Sequence, residues 1–222
     1  MEKRRYILLW LICCAILSSC KKDDDYVYPP VFTDILCVET DSEGKIAHLL
    51  TDKGISYEAD NGGSYGNFVA DTIYRMQCIY EPLQDSGASS ALIYSLRLLG
   101  SWIPIQKSEL KADIKTDPVE IESIWMSGDY INIAALVKLQ DRSKHTFHFI
   151  ATGITEEPGM KILNLTLFHD RGEDVEGYTQ RIYFSVPLFT YKEVLSSGSC
   201  VSFSINTYKS GMKTYSFSYP AI

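Results

Sequence analysis

Residues 201–219 read VSFSINTYKSGMKTYSFSY. Val201, Phe203 and Ile205 alternate with Ser202, Ser204 and Asn206; beyond Ser210-Gly211, Tyr215, Phe217 and Tyr219 alternate with Thr214, Ser216 and Ser218. A period of two puts the apolar set on one face of a strand and the polar set on the other. With Ser210-Gly211 as the turn, the stretch predicts an antiparallel hairpin, buried on one face and wet on the other.

The same alternation recurs along the chain, and helical periodicity is nearly absent. Leu163, Leu165 and Leu167 read as a strand, as do Ile182, Phe184 and Val186. Phe147 with Phe149 marks another, and Ile131 with Ile133 begins one more. In the first half, Asp41-Ser42-Glu43-Gly44 separates two strands and Asp52-Lys53-Gly54 opens a third. "TIYRMQCIYE" and "SALIYSLRLLGSWIPI" read as two long strands joined through Pro82 and Gly87. Five early strands suggest a small barrel. The polar stretch "QKSELKADIKTDP" is a composition dip of the kind found at domain boundaries. About seven more strands follow Pro118, the number expected of a β-sandwich. The expected fold is all-β: an OB-like barrel domain over residues 33–107, then an antiparallel β-sandwich domain over residues 113–222.

The N-terminus is of another kind. Lys3, Arg4 and Arg5 precede an apolar run from Tyr6 to Leu17. A bilayer span needs about 20 apolar residues, so this run is too short and reads as a signal peptide over residues 1–19. Leu17-Ser18-Ser19-Cys20 resembles the bacterial lipobox, with small residues before a cysteine whose thiol takes the lipid. Several acyl chains, each buried CH₂ contributing about 0.8 kcal/mol, would anchor the chain to a membrane. Lys22, Asp23 and Asp24, just after Cys20, resemble a lipoprotein export signal of certain Gram-negative anaerobes. They predict an outer-membrane protein facing the cell exterior; a merely solvated charged tether is the alternative. Residues 20–32 then form a lipidated tether, stiffened by "YVYPPV".

The whole chain carries a formal charge of −7. Without residues 1–19, 18 Lys and Arg face 27 Asp and Glu, a charge of −9. Such a surface offers little to neutralise phosphates, which argues against nucleic acid as a partner. Cys37, Cys78 and Cys200 remain after processing and lipidation, at separations that fit no metal site. Each sits in an apolar strand context and reads as a small buried hydrophobe, with a Cys37–Cys78 bridge as the alternative.

The order of lipobox, acidic tether, five-strand barrel, "DPVEIESIWMSGDYINIAALV" and "LTLFHDRGED" resembles the NigD-like lipoprotein family. The likeness is strongest at residues 125–132 and at His169-Asp170. It implies an N-terminal OB-type domain and a C-terminal β-sandwich. The family takes its name from a bacteriocin gene cluster in which one member was proposed to give immunity. It supplies no catalytic residues to carry over.

Several motifs hint at chemistry. Gly62-Gly63-Ser64-Tyr65-Gly66 matches G-x-S-x-G, but a nucleophile elbow needs a helix after the serine, and "NFVADTIY" reads as strand; a flexible loop is the simpler reading. His145 and His148 have H-x-x-H spacing, yet on a strand they point to opposite faces, with His148 on the wet side. Asp170, Glu173, Asp174 and Glu176 gather in one loop whose spacing fits no calcium loop, so a solvated turn is expected. Trp125 and Tyr130 flank a predicted hairpin turn at Ser127-Gly128-Asp129. They read first as strand ends capping the sandwich core, and otherwise as a binding rim. The barrel face after residue 45 is a further place to look. Asp71-Thr72-Ile73 resembles an O-glycosylation motif of exported proteins, which nominates Thr72. Asn164-Leu165-Thr166 also reads as a sequon, but it lies inside a strand.

No catalytic set assembles, and neither a cofactor nor a metal is expected. The sequence therefore predicts a non-catalytic, membrane-anchored binding or protective module, bacteriocin-immunity-like in one version, whose partner is an extracellular protein or a glycan. A glycan-binding or glycan-processing accessory lipoprotein is the alternative. An exposed aromatic platform would favour sugar, and an apolar patch protein.

Overall fold

The computed structural model describes residues 28–66, 68–85 and 88–219. Cys20, Lys22, Asp23, Asp24 and the whole signal segment lie outside them. From Val31 onward the described residues form one compact unit.

Strand β1 (Phe32–Thr40) sends Leu36 and Val38 inward and turns Cys37 outward, the alternation that period-two geometry requires. With β2 (Ile46–Leu50), β3 (Ser56–Ala59), β4 (Ile73–Asp85) and β5 (Ala88–Leu98) it closes a barrel in the order β1-β2-β3-β5-β4. The closure is the antiparallel pairing of β1 with β4, from Phe32↔Tyr80 to Glu39↔Ile73. Leu36, Val38, Leu49, Met76, Cys78 and Ile93 fill the interior. Closing the sheet removes the edges that would otherwise recruit another strand.

One glycine explains part of the barrel rim. A Cβ on Gly62 would lie 1.8 Å from the Ile46 carbonyl oxygen, so only glycine fits there. The one-turn 3₁₀ segment Gly62–Ser64 is then pinned to β5: Asn61 bridges both backbone groups of Ile93 (2.8 and 2.9 Å), and the Tyr65 hydroxyl donates to the Ile93 carbonyl (2.5 Å). The expected flexible loop is a packed corner.

Strand β6 (Ile105–Gln106) pairs with β9 (Thr146–Glu157) of the second sheet system. The sequence boundary at residue 107 thus falls beyond the barrel, whose last strand ends at Leu98. β7 (Glu120–Ser127), β8 (Tyr130–Leu139) and β11 (Tyr178–Pro187) form a three-stranded sheet in the order β11-β8-β7. β10 (Met160–Asp170), β12 (Cys200–Thr207) and β13 (Gly211–Ser218) complete a five-stranded sheet, β13-β12-β10-β9-β6. Two of its pairings, β10 with β12 and β6 with β9, are parallel. The chain leaves the sheet after β10, runs as β11 in the other sheet and returns as β12, a crossover of the kind parallel neighbours need. Between the sheets, Ile131, Ile133, Phe149, Leu165, Phe184, Val201, Phe203 and others make one continuous core.

Candidate functional site

Inward residues on β8 and β11 fix what their neighbours do. Ile131, Ile133, Phe184 and Val186 face the sandwich core, so Tyr130, Asn132, Tyr183 and Ser185 stand on the opposite face. On β7, Ile124 and Met126 pack inward and Trp125 outward. Trp125 and Tyr130 therefore do not cap the sandwich core; the alternation sends both to its outer face, where the barrel docks.

Arg75 joins the two parts. On β4 it points away from the barrel interior, yet its side chain is only 3% exposed. It makes paired hydrogen bonds to Asp52 (Nη1–Oδ1 2.6 Å, Nη2–Oδ2 2.7 Å) and donates to Ser185 Oγ (3.0 Å) and Asn132 Oδ1 (3.2 Å). Its Cζ lies 3.9 Å from the centroid of the Tyr130 ring, and Cys37 Sγ is 3.4 Å from the Tyr130 hydroxyl. Burial opposes the guanidinium charge, but the hydrogen bonds and charge of Asp52 outweigh it and hold Arg75 above its usual value. Burial, then the Cys37 contact, pushes the Tyr130 hydroxyl up, so it stays neutral.

The hairpin that presents Tyr130 turns through Gly128-Asp129, as the sequence predicts, with Gly128 at φ +53°. A Cβ there would meet the Asp52 carbonyl oxygen at 3.2 Å, so this glycine serves both the turn and the close approach of hairpin tip to barrel loop. On the other side, Gly100 takes part in two backbone hydrogen bonds with β11, at Tyr183 and Ser185.

Two clefts flank this junction. The larger, about 840 Å³, is lined by Cys37, Arg75 and Tyr130 and by the apolar side chains of Ile73, Leu98, Trp102, Ile103 and Phe189. The smaller, about 370 Å³, is lined by Asp34, Gln77, Trp125, Asn132 and Tyr183 among others. Thr51 and Asp52 line both, so Asp52 stands in the wall they share. The two nominated aromatics face different clefts, Tyr130 the larger and Trp125 the smaller. The end of β2, after residue 45, contributes Leu50 to the larger.

A second polar cluster lies at the far edge of the sandwich. His145 Nε2 donates to Asp174 Oδ2 (3.1 Å), His145 Nδ1 lies 2.8 Å from His169 Nε2, and His169 Nδ1 donates to the Asp117 carbonyl (2.9 Å). Asp174 also accepts from the Gln140 and Asp141 amides (2.8 and 2.9 Å). These amides, Asp141 first, hold its carboxyl well below the usual range despite burial. Burial lowers His169. The loop read as a solvated acidic turn thus carries a carboxylate only 2% exposed. Asp170 is engaged by Lys115 (2.7 Å) and Glu176 by Lys138 (2.9 Å). Among the described residues, no three or more His, Cys, Asp or Glu are grouped to hold a metal ion. His148 packs its ring against Trp102 instead of joining His145.

Cys78 lies in the barrel interior, where burial pushes its thiol up to about 12, while Cys37 faces Arg75; both are free. Opposite sides of the barrel wall keep them apart. Thr72 precedes β4, and its hydroxyl donates to the Ala70 carbonyl (2.9 Å).

A model of the NigD-like C-terminal β-sandwich domain matches residues 101–219. The chain belongs to the NigD-like family. A NigD-like immunity protein from Bacteroides caccae shares the fold at TM-score 0.68 and 26% identity, covering 88% of this chain and 100% of its own. A NigD-like fold also appears in a toxin-related protein from Parabacteroides distasonis (TM-score 0.65, 19% identity, 86% and 94% covered). A protein from Bacteroides fragilis described as a lipoprotein is similar at TM-score 0.57 and 12% identity, with 87% and 99% covered. These last two likenesses speak for the fold alone. No curated protein matches the NigD-like chain.

Sequence reasoning missed Arg75 and the His145–His169–Asp174 chain. A cation in mid-strand, inside "TIYRMQCIYE", was the available signal for the first. Nothing in local sequence signals the second, which brings His145 to His169 and Asp174 from another segment of the chain.

Proposed function

We propose that this NigD-like protein is a surface-anchored outer-membrane lipoprotein that acts without catalysis, holding an apolar segment of an extracellular protein in the larger cleft. The observation that carries the reading is the rim of that cleft: Ile73 is 64% exposed, Leu98 61% and Ile103 54%, all beside one concavity. Apolar patches around a concave site mark places where a partner docks. The aliphatic share of this rim fits a protein segment better than a sugar ring. Behind it, the Arg75–Asp52–Tyr130 network is fully engaged with itself and serves as a rigid floor. The immunity protein named among the structural relatives supports a protective role, with an antibacterial protein as the occupant. Lipidation at Cys20, export through Lys22, Asp23 and Asp24, and glycosylation at Thr72 belong to the same surface reading.

The test is a growth challenge on intact cells. Cells lacking the gene are expected to become sensitive to an antibacterial protein secreted by neighbouring strains. The wild-type gene should restore resistance, and a Leu98→Glu/Ile103→Glu variant of equal abundance should not. Equal protection by both genes would remove the cleft from the mechanism. Protease shaving of whole cells, with mass spectrometry of Cys20 and Thr72, checks the anchor, its exposure and the glycan.

A further inference from the structure

Among the described residues the two sandwich sheets end in four edge strands, and three of these are blunted. β6 pairs over only two residues, Ile105 and Gln106. β7 carries Glu120 and Glu122 and a register shift between Ile121 and Ser123. On β11, Gly100 already bonds the backbone at Tyr183 and Ser185, and the open half carries Arg181. Short length, charge, bulges and cover are the usual protections against strand addition. β13 lacks all of them over residues 214–218, which are regular in register, uncharged and free of proline. Its sole strand partner among the described residues is β12.

The core face of this edge is also unfinished. Val201 and Phe203 on β12 are fully buried, whereas their partners across the pair, Phe217 and Tyr215, are only half-buried. The opposite sheet therefore covers β12 and gives out over β13, leaving aromatic surface for one more strand to cover. A strand that fits has an apolar side chain at every second position, small hydroxyls between and no charge. β13 has that sequence itself: Tyr215 and Phe217 pack toward the core, and Thr214, Ser216 and Ser218 are exposed. Set antiparallel about a two-fold axis at Ser216, two copies place Tyr215 against Phe217 twice and Thr214 against Ser218 twice. The hydroxyl pair already made by Ser204 and Thr214 (3.0 Å) then continues across the junction. Lys213 carries the strand's one charge, and this register leaves the two lysines at opposite ends, about 20 Å apart. That is beyond a Debye length, so a copy meets no repulsion along the paired stretch.

We propose that β13 is a homodimer interface, which joins the five-stranded sheets of two copies into one continuous sheet. The added strand satisfies the outward backbone groups of β13, and its aromatic residues extend the core face over Tyr215 and Phe217. Each copy closes the other's open edge, so the assembly stops at two. The interface lies on the sandwich and stands or falls without the apolar cleft.

Analytical ultracentrifugation of the purified protein is expected to show a monomer–dimer equilibrium with a Kd of about 1–100 µM. Ser216 is exposed, so Ser216→Lys should leave melting of the dilute monomer unchanged. It sets two like charges face to face across the axis and should weaken the dimer at least about tenfold. Ser216→Cys should form a disulfide between copies under mild oxidation, found by mass spectrometry as one peptide joined to itself. A chain still monomeric at about 1 mM would overturn the proposal, and protection of its β13 amides from hydrogen exchange in whole cells alone would then give the edge to another protein. A dimer untouched by Ser216→Lys, or one that Ser216→Cys fails to cross-link, would overturn it as well.

Discussion

Arg75 and Asp52 meet through two parallel hydrogen bonds, with side chains 3% and 9% exposed. One comes from a barrel strand and the other from a barrel loop, yet the pair is buried because the sandwich sheet covers it with Tyr130, Asn132 and Ser185. Removing one member leaves the other charged and buried. Arg75→Ala or Asp52→Ala is expected to cost about 3–5 kcal/mol of stability. The paired replacement Arg75→Met/Asp52→Leu should cost far less, because no charge is stranded. Urea unfolding of the three variants checks the order. Equal losses in all three would mean that the pair contributes through packing alone.

Gly62 offers a cleaner contrast. Its missing Cβ leaves room for the Ile46 carbonyl oxygen, whereas Gly54 has open space around it but sits at φ +81°. Gly62→Ala must displace backbone and is expected to cost about 1–3 kcal/mol, as overpacking does. Gly54→Ala should cost only about 1 kcal/mol, from backbone conformation. Melting temperatures of the two variants give the comparison. A Gly62 variant no worse than the Gly54 variant would show that the corner relaxes freely.

Most of the strand content was legible because it is written at period two. Val201, Phe203 and Ile205 are all fully buried, as their alternation with Ser202, Ser204 and Asn206 demands. The barrel was legible from five strands set apart by turns. The parallel pairing of β10 with β12 was not, since alternation states which face is buried and says nothing about which strand lies alongside. Trp125 and Tyr130 were read first as caps of the sandwich core, and they line clefts on its outer face instead. Their alternation with Ile124 and Ile131 already sends them away from the core, but only the docked barrel turns that outer face into clefts. Asp174 shows the opposite failure: four acidic residues in seven read as solvent, and burial of one depends on amides at residues 140 and 141 that no local pattern announces.

The three thiols among the described residues should react in a set order. Cys200 is half-buried, Cys37 is buried beside Arg75, and Cys78 lies inside the barrel. Only the thiolate is nucleophilic, and burial, then the charge of Asp34, pushes the Cys78 thiol up to about 12. Timed alkylation of the native protein at pH 8, followed by peptide mass spectrometry, is expected to label Cys200 first and Cys78 last. Labelling of Cys78 should then appear only on the timescale of barrel opening. Early labelling of Cys78 would show that the barrel opens more readily than its packed interior implies.

The buried histidine and aspartate of the sandwich edge set the direction of the acid response. His169 is lowered from 6.5, by burial first and then by the neighbouring His145 and Arg142 charges against the Asp117 hydrogen bond. Below pH 6.5 the unfolded chain therefore takes up a proton at this residue that the folded chain resists, and stability falls as pH falls. Asp174 is lowered from 3.8, so its contribution is present above that value and fades as pH drops further. The two effects have the same sign but separate windows, the first opening near pH 6.5 and the second below pH 4. Asp141 and Arg142 border the cluster and titrate outside the first window, while His145 touches His169 (2.8 Å), so His169→Gln reads the contacting pair. Urea midpoints measured from pH 7.5 to pH 3 are expected to show a shallow decline, then a steeper one. His169→Gln should flatten the first, and Asp174→Asn, which keeps an oxygen for the Gln140 and Asp141 amides, should flatten the second. An upper limb unchanged in His169→Gln would assign that titration to another group.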